Sequence, residues 1–352
     1  MSTSVSAHAT NLLPTVQRVV LQNAVATSHA TPQLVIFGSA AARCSPKLDR
    51  ITLDGSDLSI ELATPQTDCD AQHAQPFGLR IDPAASTGTP ILPGQVYRVR
   101  VYATLAGGTT LVAFHLLDTT APAAAPRPEN GFWWSEADVE TGPAAAGNGA
   151  SIELQGDQLA VGLFGFGDSG APTWYFGSTR AGGRVAHVAL VQLANGDPMF
   201  APVGGQPSAQ AGPRLELEFL SPTRARAWLV RSEGGRDTQV RSLLLARTHF
   251  SNGPVSVAWS GQWVLVPDDK GPPRLFEFSD PSSQDAETFH LADSANDASL
   301  DCRLSSKDSQ HPDICTLSVA SIPVADFDQV GLDHLRGRGS NGAPVKLVRV
   351  PR

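Results

Sequence analysis

The chain reads as an all-β protein. An immunoglobulin-like β-sandwich is expected over residues 12–118, a Pro/Ala linker over 119–130, and an antiparallel β-barrel-like or large sandwich domain over 131–352, with a further division near residue 250 as an option. Three observations predict this. Gly 32 and Pro 27 among 352 residues make up about a sixth of the chain, above the usual share of about an eighth. Short apolar runs alternate in period two and end on turn residues. No stretch carries the periodicity of a long amphipathic helix.

In the first region, TVQRVVLQNAV alternates in part and PQLVIFG is a buried run. DRITLDGSDLSIEL looks like a hairpin, with Asp54-Gly55 as its turn signal. QVYRVRVYA alternates cleanly: Val96, Arg98, Arg100 and Tyr102 share one side, and Tyr97, Val99 and Val101 the other. With FGLRID and TTLVAFHLL this makes six or seven strands in about a hundred residues, the density of an immunoglobulin-like sandwich. TTAPAAAPRPEN is poor in large apolar residues and reads as a semi-rigid linker.

About a dozen strands follow: ASIELQG, QLAVGLFGF, TWYFGSTR, RVAHVALVQL, RLELEFL, RARAWLVR, VRSLLLARTHF, WVLVPD, RLFEFS, ETFHLA, CTLSVASIP and VKLVRV. Turn signals such as Gly156-Asp157, Asn195-Gly196-Asp197, Gly234-Gly235 and Asn341-Gly342 separate them. LDHLRGRG is expected to hold one short helical turn.

The formal charge of −8 argues against nucleic-acid binding, which calls for a basic stripe. The four cysteines fall in two local pairs, Cys44 with Cys69 and Cys302 with Cys315, without metal-ligand spacing. Two disulfides are expected, each worth about 3 kcal/mol in the chain-entropy picture, and they imply an oxidising compartment. Four free thiols in a cytosolic protein are the alternative. No run is apolar enough for a membrane span. The N-terminus lacks the marks of a signal peptide, so export would mean that a leader has been removed. The localisation expected is periplasmic or secreted.

GDSGAP, Gly167 to Pro172, is one residue from the GDSGGP around the serine of trypsin-like proteases. That chemistry needs a histidine and an aspartate ahead of the serine in the chain. His115 precedes Ser169 but sits mid-strand in the first region. Gly, Asp, Ser and Pro between two apolar strands read better as a hairpin loop.

The wider stretch Asn130 to Ser178 carries Gly131-Phe132-Trp133-Trp134, then Gln155-Gly156-Asp157, then Asp168, Gly170, Pro172, Trp174 and Tyr175. In this it resembles a tryptophan-rich repeat module, GxWW…QGD…DxxGxPxWY, of exported proteobacterial proteins and lipoproteins. The resemblance departs where SEADVETGPAAAGNG replaces the module's shorter N-P-x-E-S segment, and at Asp168-Ser169-Gly170, one residue shorter than DxxG. It implies an exported β module of no established activity and supplies no catalytic residues.

Trp133, Trp134, Trp174 and Tyr175, with Trp259 and Trp263, are either core fillers or a surface for a ligand or partner. Glu136, Asp138 and Glu140 alternate, and paired carboxylates can hydrolyse glycosides. Asp293, Asp297 and Asp301 lack the glycine and glutamate of an EF-hand loop. The nine histidines show no metal-ligand spacing. No catalytic residue, metal or cofactor is assigned. The expectation is a non-enzymatic binding or assembly module with a protein or glycan partner at the cell envelope. A hydrolase built from barrel-mouth loops, or a subunit of a larger exported assembly, are the alternatives.

Overall fold

The computed structural model describes residues 12–22, 32–65, 67, 69–105, 108–120, 125–137, 141–197, 200, 204–250, 254–267, 271–284, 287–304 and 311–350. The all-β expectation holds. The chain divides into two compact units: 1–125, 175–218 and 227–242 in the first, and 126–174, 219–226 and 243–352 in the second.

The first seven strands form two sheets. β1 (Thr15–Gln22), β2 (Gln33–Ala42) and β5 (Asp70–Ile81) make one. The other holds β3 (Lys47–Asp54), β4 (Asp57–Ala63), β6 (Val96–Leu105) and β7 (Gly108–Asp118). The β3–β4 hairpin forms as the sequence suggests, with its loop at Gly55-Ser56, one residue later than the expected pair. Gly55 takes φ 55° there, which glycine adopts without Cβ strain. β4 and β6 pair in parallel, whereas the β3–β4 and β6–β7 pairs beside them are antiparallel. A short helix, α1 (Pro83–Thr87), starts on Asp82, whose carboxylate accepts the Ala85 N–H at 3.1 Å. The sandwich core draws Leu34 and Ile36 from one sheet and Leu58, Ile60, Val99 and Val101 from the other, all without solvent exposure. Cys44 and Cys69 are bridged.

The opposite face of β6 and β7 is also covered. Val96, Phe114 and Leu116 pack with Val185, Trp228 and Val230. This is why Val96 is buried although it shares a side with Arg98 and Arg100.

Two closed eight-stranded barrels follow. The first comprises β8 (Gly131–Glu136), β9 (Gly149–Gln155), β10 (Gln158–Phe166), β11 (Pro172–Arg180), β12 (Val185–Ala194), β13 (Ser208–Ser221), β14 (Arg224–Glu233) and β15 (Arg236–Arg247). The second comprises β16 (Gly261–Pro267), β17 (Arg274–Gln284), β18 (Thr288–Asp293), β19 (Ala298–Leu304), β20 (Pro312–Val319), β21 (Ile322–Val330), β22 (His334–Gly339) and β23 (Pro344–Arg349). Closure removes the exposed sheet edges that would otherwise template aggregation. The apolar alternate of these strands faces inward, as with Ile152, Leu159 and Val161, while Glu153 faces out. A lipid-spanning barrel shows the reverse pattern. Among the described residues no helix is long and apolar enough to cross a membrane.

The second barrel is filled by Trp259, Trp263, Phe276, Phe278, Phe289 and Phe327 with Leu and Val neighbours. Trp259 Nε1–H donates to Gly331 O and Trp263 Nε1–H to Trp259 O, both at 2.8 Å, so both buried indoles are satisfied. Cys302 and Cys315 are directly opposed on β19 and β20 and form the second disulfide.

Two local expectations are corrected. LDHLRGRG is strand, not helix: His334–Gly339 pairs with both β21 and β23. Gly337 explains the composition, because a Cβ there would stand 1.8 Å from the Asp326 carbonyl oxygen. CTLSVASIP is no single strand; it spans a hairpin whose loop is Ala320-Ser321, both at positive φ (51° and 61°) without glycine. This is the twist that matches right-handed strands, made from residues that give no turn signal.

Candidate functional site

GDSGAP is a hairpin loop. Gly167 N–H donates to Ala171 O at 2.9 Å and Gly170 N–H to Gly167 O at 2.8 Å, between β10 and β11, and Ser169 is exposed at its tip. His115 lies instead with Arg214, Glu216 and Asp237. Burial, then the Arg214 charge, pushes its pKa down to about 4. Gln155-Gly156-Asp157 forms the β9–β10 turn, with Gly156 at φ 64°.

The tryptophans separate into two groups. Trp133, Trp259 and Trp263 are fully buried. Trp134 and Trp174 are 45% and 64% exposed. Strand alternation on β8 causes the split between neighbours: Trp133 and Ser135 face in, and Phe132 and Trp134 face out. Tyr175 alternates with Trp174 on β11 and is half-buried, its ring against Gly212.

The outward rings form a row across strands. Trp134 is paired with Gly149 on β9, and Gly149 with Phe164 on β10. Ring centroids lie 5.5 Å apart for Trp134 and Phe164, 5.6 Å for Phe132 and Phe164, and 5.4 Å for Phe164 and Trp174, at tilts of 40–47°. Gly149 is what lets the row close. A Cβ there would sit 2.7 Å from the Phe164 ring and 2.6 Å from the Trp133 carbonyl oxygen.

On its other flank Trp134 pairs with Ala246 of β15. There a cavity of about 520 Å³ opens, mostly apolar, bounded by Phe132, Trp134, Phe250, Glu136, His249 and His311. Burial raises the Glu136 pKa, and the Arg224 charge opposes this only in part. Burial, then the charges of His249 and Arg224, holds the His311 pKa down at about 3, so its imidazole is neutral. Arg224 is 3.5 Å from Asp313. Arg247 donates to Asn130 O at 2.8 Å and pairs with Asp333 at 3.3 Å and Glu129 at 3.8 Å. Asp138 and Glu140, the other members of the alternating carboxylates, lie outside the described residues.

A larger hollow, about 670 Å³, lies over β18–β20. Two of its polar groups pair with each other, His290 with Asp301 at 2.6 Å, and Asp301 also accepts from Ser299 at 2.9 Å. Asp293, Asp297 and Asp301 do not converge. Asp293 caps its turn, accepting from Ala295, Asn296 and Glu277 N–H. Burial disfavours its charge, but these donors and the Asn296 amide hold its pKa low. Among the described residues no three metal-ligating side chains form a group.

Sequence reasoning found Trp134 and Trp174 but missed Phe132, Phe164 and Phe250 as partners. Period-two register through Gly149 was the one signal that joins them, and it needs the strand pairing to be read.

The fold and the site define an all-β, disulfide-bonded chain of a sandwich and two barrels, with an aromatic row on one barrel wall. No family model matches the chain, and no curated protein matches it. Among solved structures, a Ca2+-stabilised adhesin that helps an Antarctic bacterium reach out and bind ice is similar over 96% of this chain and 99% of that one. The TM-score is 0.14 at 10% identity, too slight a likeness to carry an argument.

Proposed function

We propose that this protein is a non-enzymatic binding or assembly module working outside the cytoplasm, and that it binds a protein or glycan of the cell envelope through the aromatic row on β8–β11. One observation carries the reading: Phe132, Trp134 and Trp174, each about half exposed or more, surround Phe164 in one contiguous patch. Contiguous apolar surface of this kind marks interaction sites, and rigid aromatics lose little entropy on contact. The two disulfides support an oxidising compartment. The resemblance to tryptophan-rich exported modules points the same way, since its GxWW and PxWY segments supply three of these rings.

The hydrolase alternative has one observation in its favour, the raised pKa of Glu136 beside an apolar cavity. Glycoside hydrolysis calls for a second carboxylate facing the same space, and Glu136 alone supplies one among the cavity's described residues.

Co-sedimentation with isolated peptidoglycan and envelope polysaccharide tests the binding reading. The protein should partition with one fraction. Trp134→Ala with Trp174→Ala should weaken that by about tenfold or more, the effect of losing an aromatic anchor. Partition unaffected by the double substitution, with the fold intact, overturns the aromatic row as the binding face.

A further inference from the structure

We propose that the cavity beside Trp134 takes an alkylated ammonium group, held over the faces of Phe132, Trp134 and Phe250 and paired with Glu136. This rests on the aromatic row being the binding face and names the chemistry of what it binds. The argument starts from the lining. An apolar cavity of about 520 Å³ is large enough for a small ligand or the end of a larger one. Three of its walls are aromatic rings, whose negative faces attract a cation within about 6 Å. A compact alkylammonium also suits such a cavity because its methyl groups tolerate loss of water.

The charge of the site has the matching sign. Glu136 shows no hydrogen-bond partner among the described residues, and its only favourable electrostatic neighbour is Arg224. Arg224 is itself engaged by Asp313, and Arg247 by Asp333, Glu129 and the Asn130 carbonyl. His311 contributes no charge above its pKa of about 3. His249 is the one remaining titratable group lining the cavity. Glu136 is therefore a desolvated carboxyl awaiting a donor or cation, and occupation by an ammonium would supply both the counter-charge and the apolar contact. An anion would meet the carboxylate, and a plain hydrocarbon would leave it without a partner.

The test uses the full chain at about pH 8, above the ordinary histidine range. Choline is compared with its neutral isostere, in which a quaternary carbon replaces the nitrogen, by calorimetry and tryptophan fluorescence. Choline should bind about tenfold tighter than the isostere. Glu136→Gln should remove that preference and leave the isostere unchanged, while Phe250→Ala, at a side chain 81% exposed, should weaken choline. Choline binding should also fade on acidification as Glu136 takes up its proton. Equal affinity for the two ligands, absence of choline binding, or a Glu136→Gln variant that keeps the preference overturns the inference. If envelope co-sedimentation still depends on Trp134 and Trp174 in that case, the binding face stands and only the ammonium chemistry falls. If co-sedimentation ignores both tryptophans, the binding reading itself fails.

Discussion

The Glu129 carboxylate accepts the backbone N–H of Leu332 at 2.9 Å, across 203 residues of chain. It also accepts from Asp333 at 2.9 Å and His334 at 3.3 Å, and the His334 ring stands 3.1 Å away. Glu129, within the stretch expected as a semi-rigid linker, is a buried anchor on the β21–β22 turn, next to Gly331, where a Cβ would meet the same carboxylate at 2.1 Å.

That anchor is pH-sensitive. Burial works against its charge, but the His334 ring and the two backbone donors outweigh burial, so the folded pKa is lowered. A carboxylate with a lowered folded pKa stabilises above its unfolded value of about 4.3, and the gain is lost as pH falls through the folded pKa. Glu129→Ala should cost about 3–5 kcal/mol at neutral pH by leaving three backbone N–H donors and the His334 ring without this acceptor. Urea unfolding at neutral pH and at about pH 3 checks this: the gap between wild type and variant should shrink in acid.

Two buried histidines give a second acid-sensitive contribution of the same sign. His115 and His311 have folded pKa values of about 4 and about 3, below the ordinary 6.5. Between those values and 6.5 the unfolded chain binds more protons, so stability falls as pH drops through that window. Each should contribute roughly 3–5 kcal/mol to the fall. Imidazole resonances that stay neutral down to about pH 4 would confirm it, and ordinary titration near pH 6.5 would refute it.

What the sequence revealed depended on how local the cause was. The β3–β4 hairpin and the QVYRVRVYA alternation announce themselves within ten residues. GFWWSE does not announce itself as a strand, because its consecutive apolar residues hide the alternation that puts Trp133 inside and Trp134 outside. ASLDCRL and VADFDQV are short and rich in polar residues on their outer faces, so β19 and β21 were missed, and Ala320-Ser321 gave no glycine to separate β20 from β21. The site was legible only as a list of tryptophans. Closure of β8 onto β15, which brings Ala246 beside Trp134, is set by pairing between residues more than a hundred apart.

The two groups of tryptophan should respond oppositely to truncation. Trp133 is fully buried and donates to Glu129 O at 3.2 Å, so Trp133→Ala should destabilise by about 3–5 kcal/mol. Trp174→Ala should stay within about 0.5 kcal/mol, as exposed substitutions do, while reducing acrylamide quenching of the intrinsic fluorescence. Equal destabilisation by the two would contradict the placement of Trp174 on the surface.

The disulfides close loops of 25 and 13 residues and should each contribute about 3 kcal/mol. Alkylation of the native, unreduced protein should therefore modify no cysteine. Replacing Cys302 and Cys315 together by Ala should lower the denaturation midpoint of the second barrel.

Gly149 offers the sharpest test of how the aromatic row is assembled. It sits between Trp134 and Phe164 in the pairing, and any Cβ there collides with the Phe164 ring on one side and the Trp133 carbonyl on the other. The ring can swing away, but the carbonyl belongs to the β8–β9 ladder and cannot move without breaking it. Gly149→Ala should thus displace Phe164 from Trp134 and loosen β8, at a cost of about 1–3 kcal/mol. Binding to the envelope fraction should fall with it, although no contacting side chain has been removed. Gly162→Ala, on the same strand as Phe164 but with only the Ser151 Cβ at 3.9 Å, serves as the control and should leave both stability and binding nearly unchanged. A Gly149→Ala protein that keeps its midpoint and its partition would mean that the rings do not depend on this close approach.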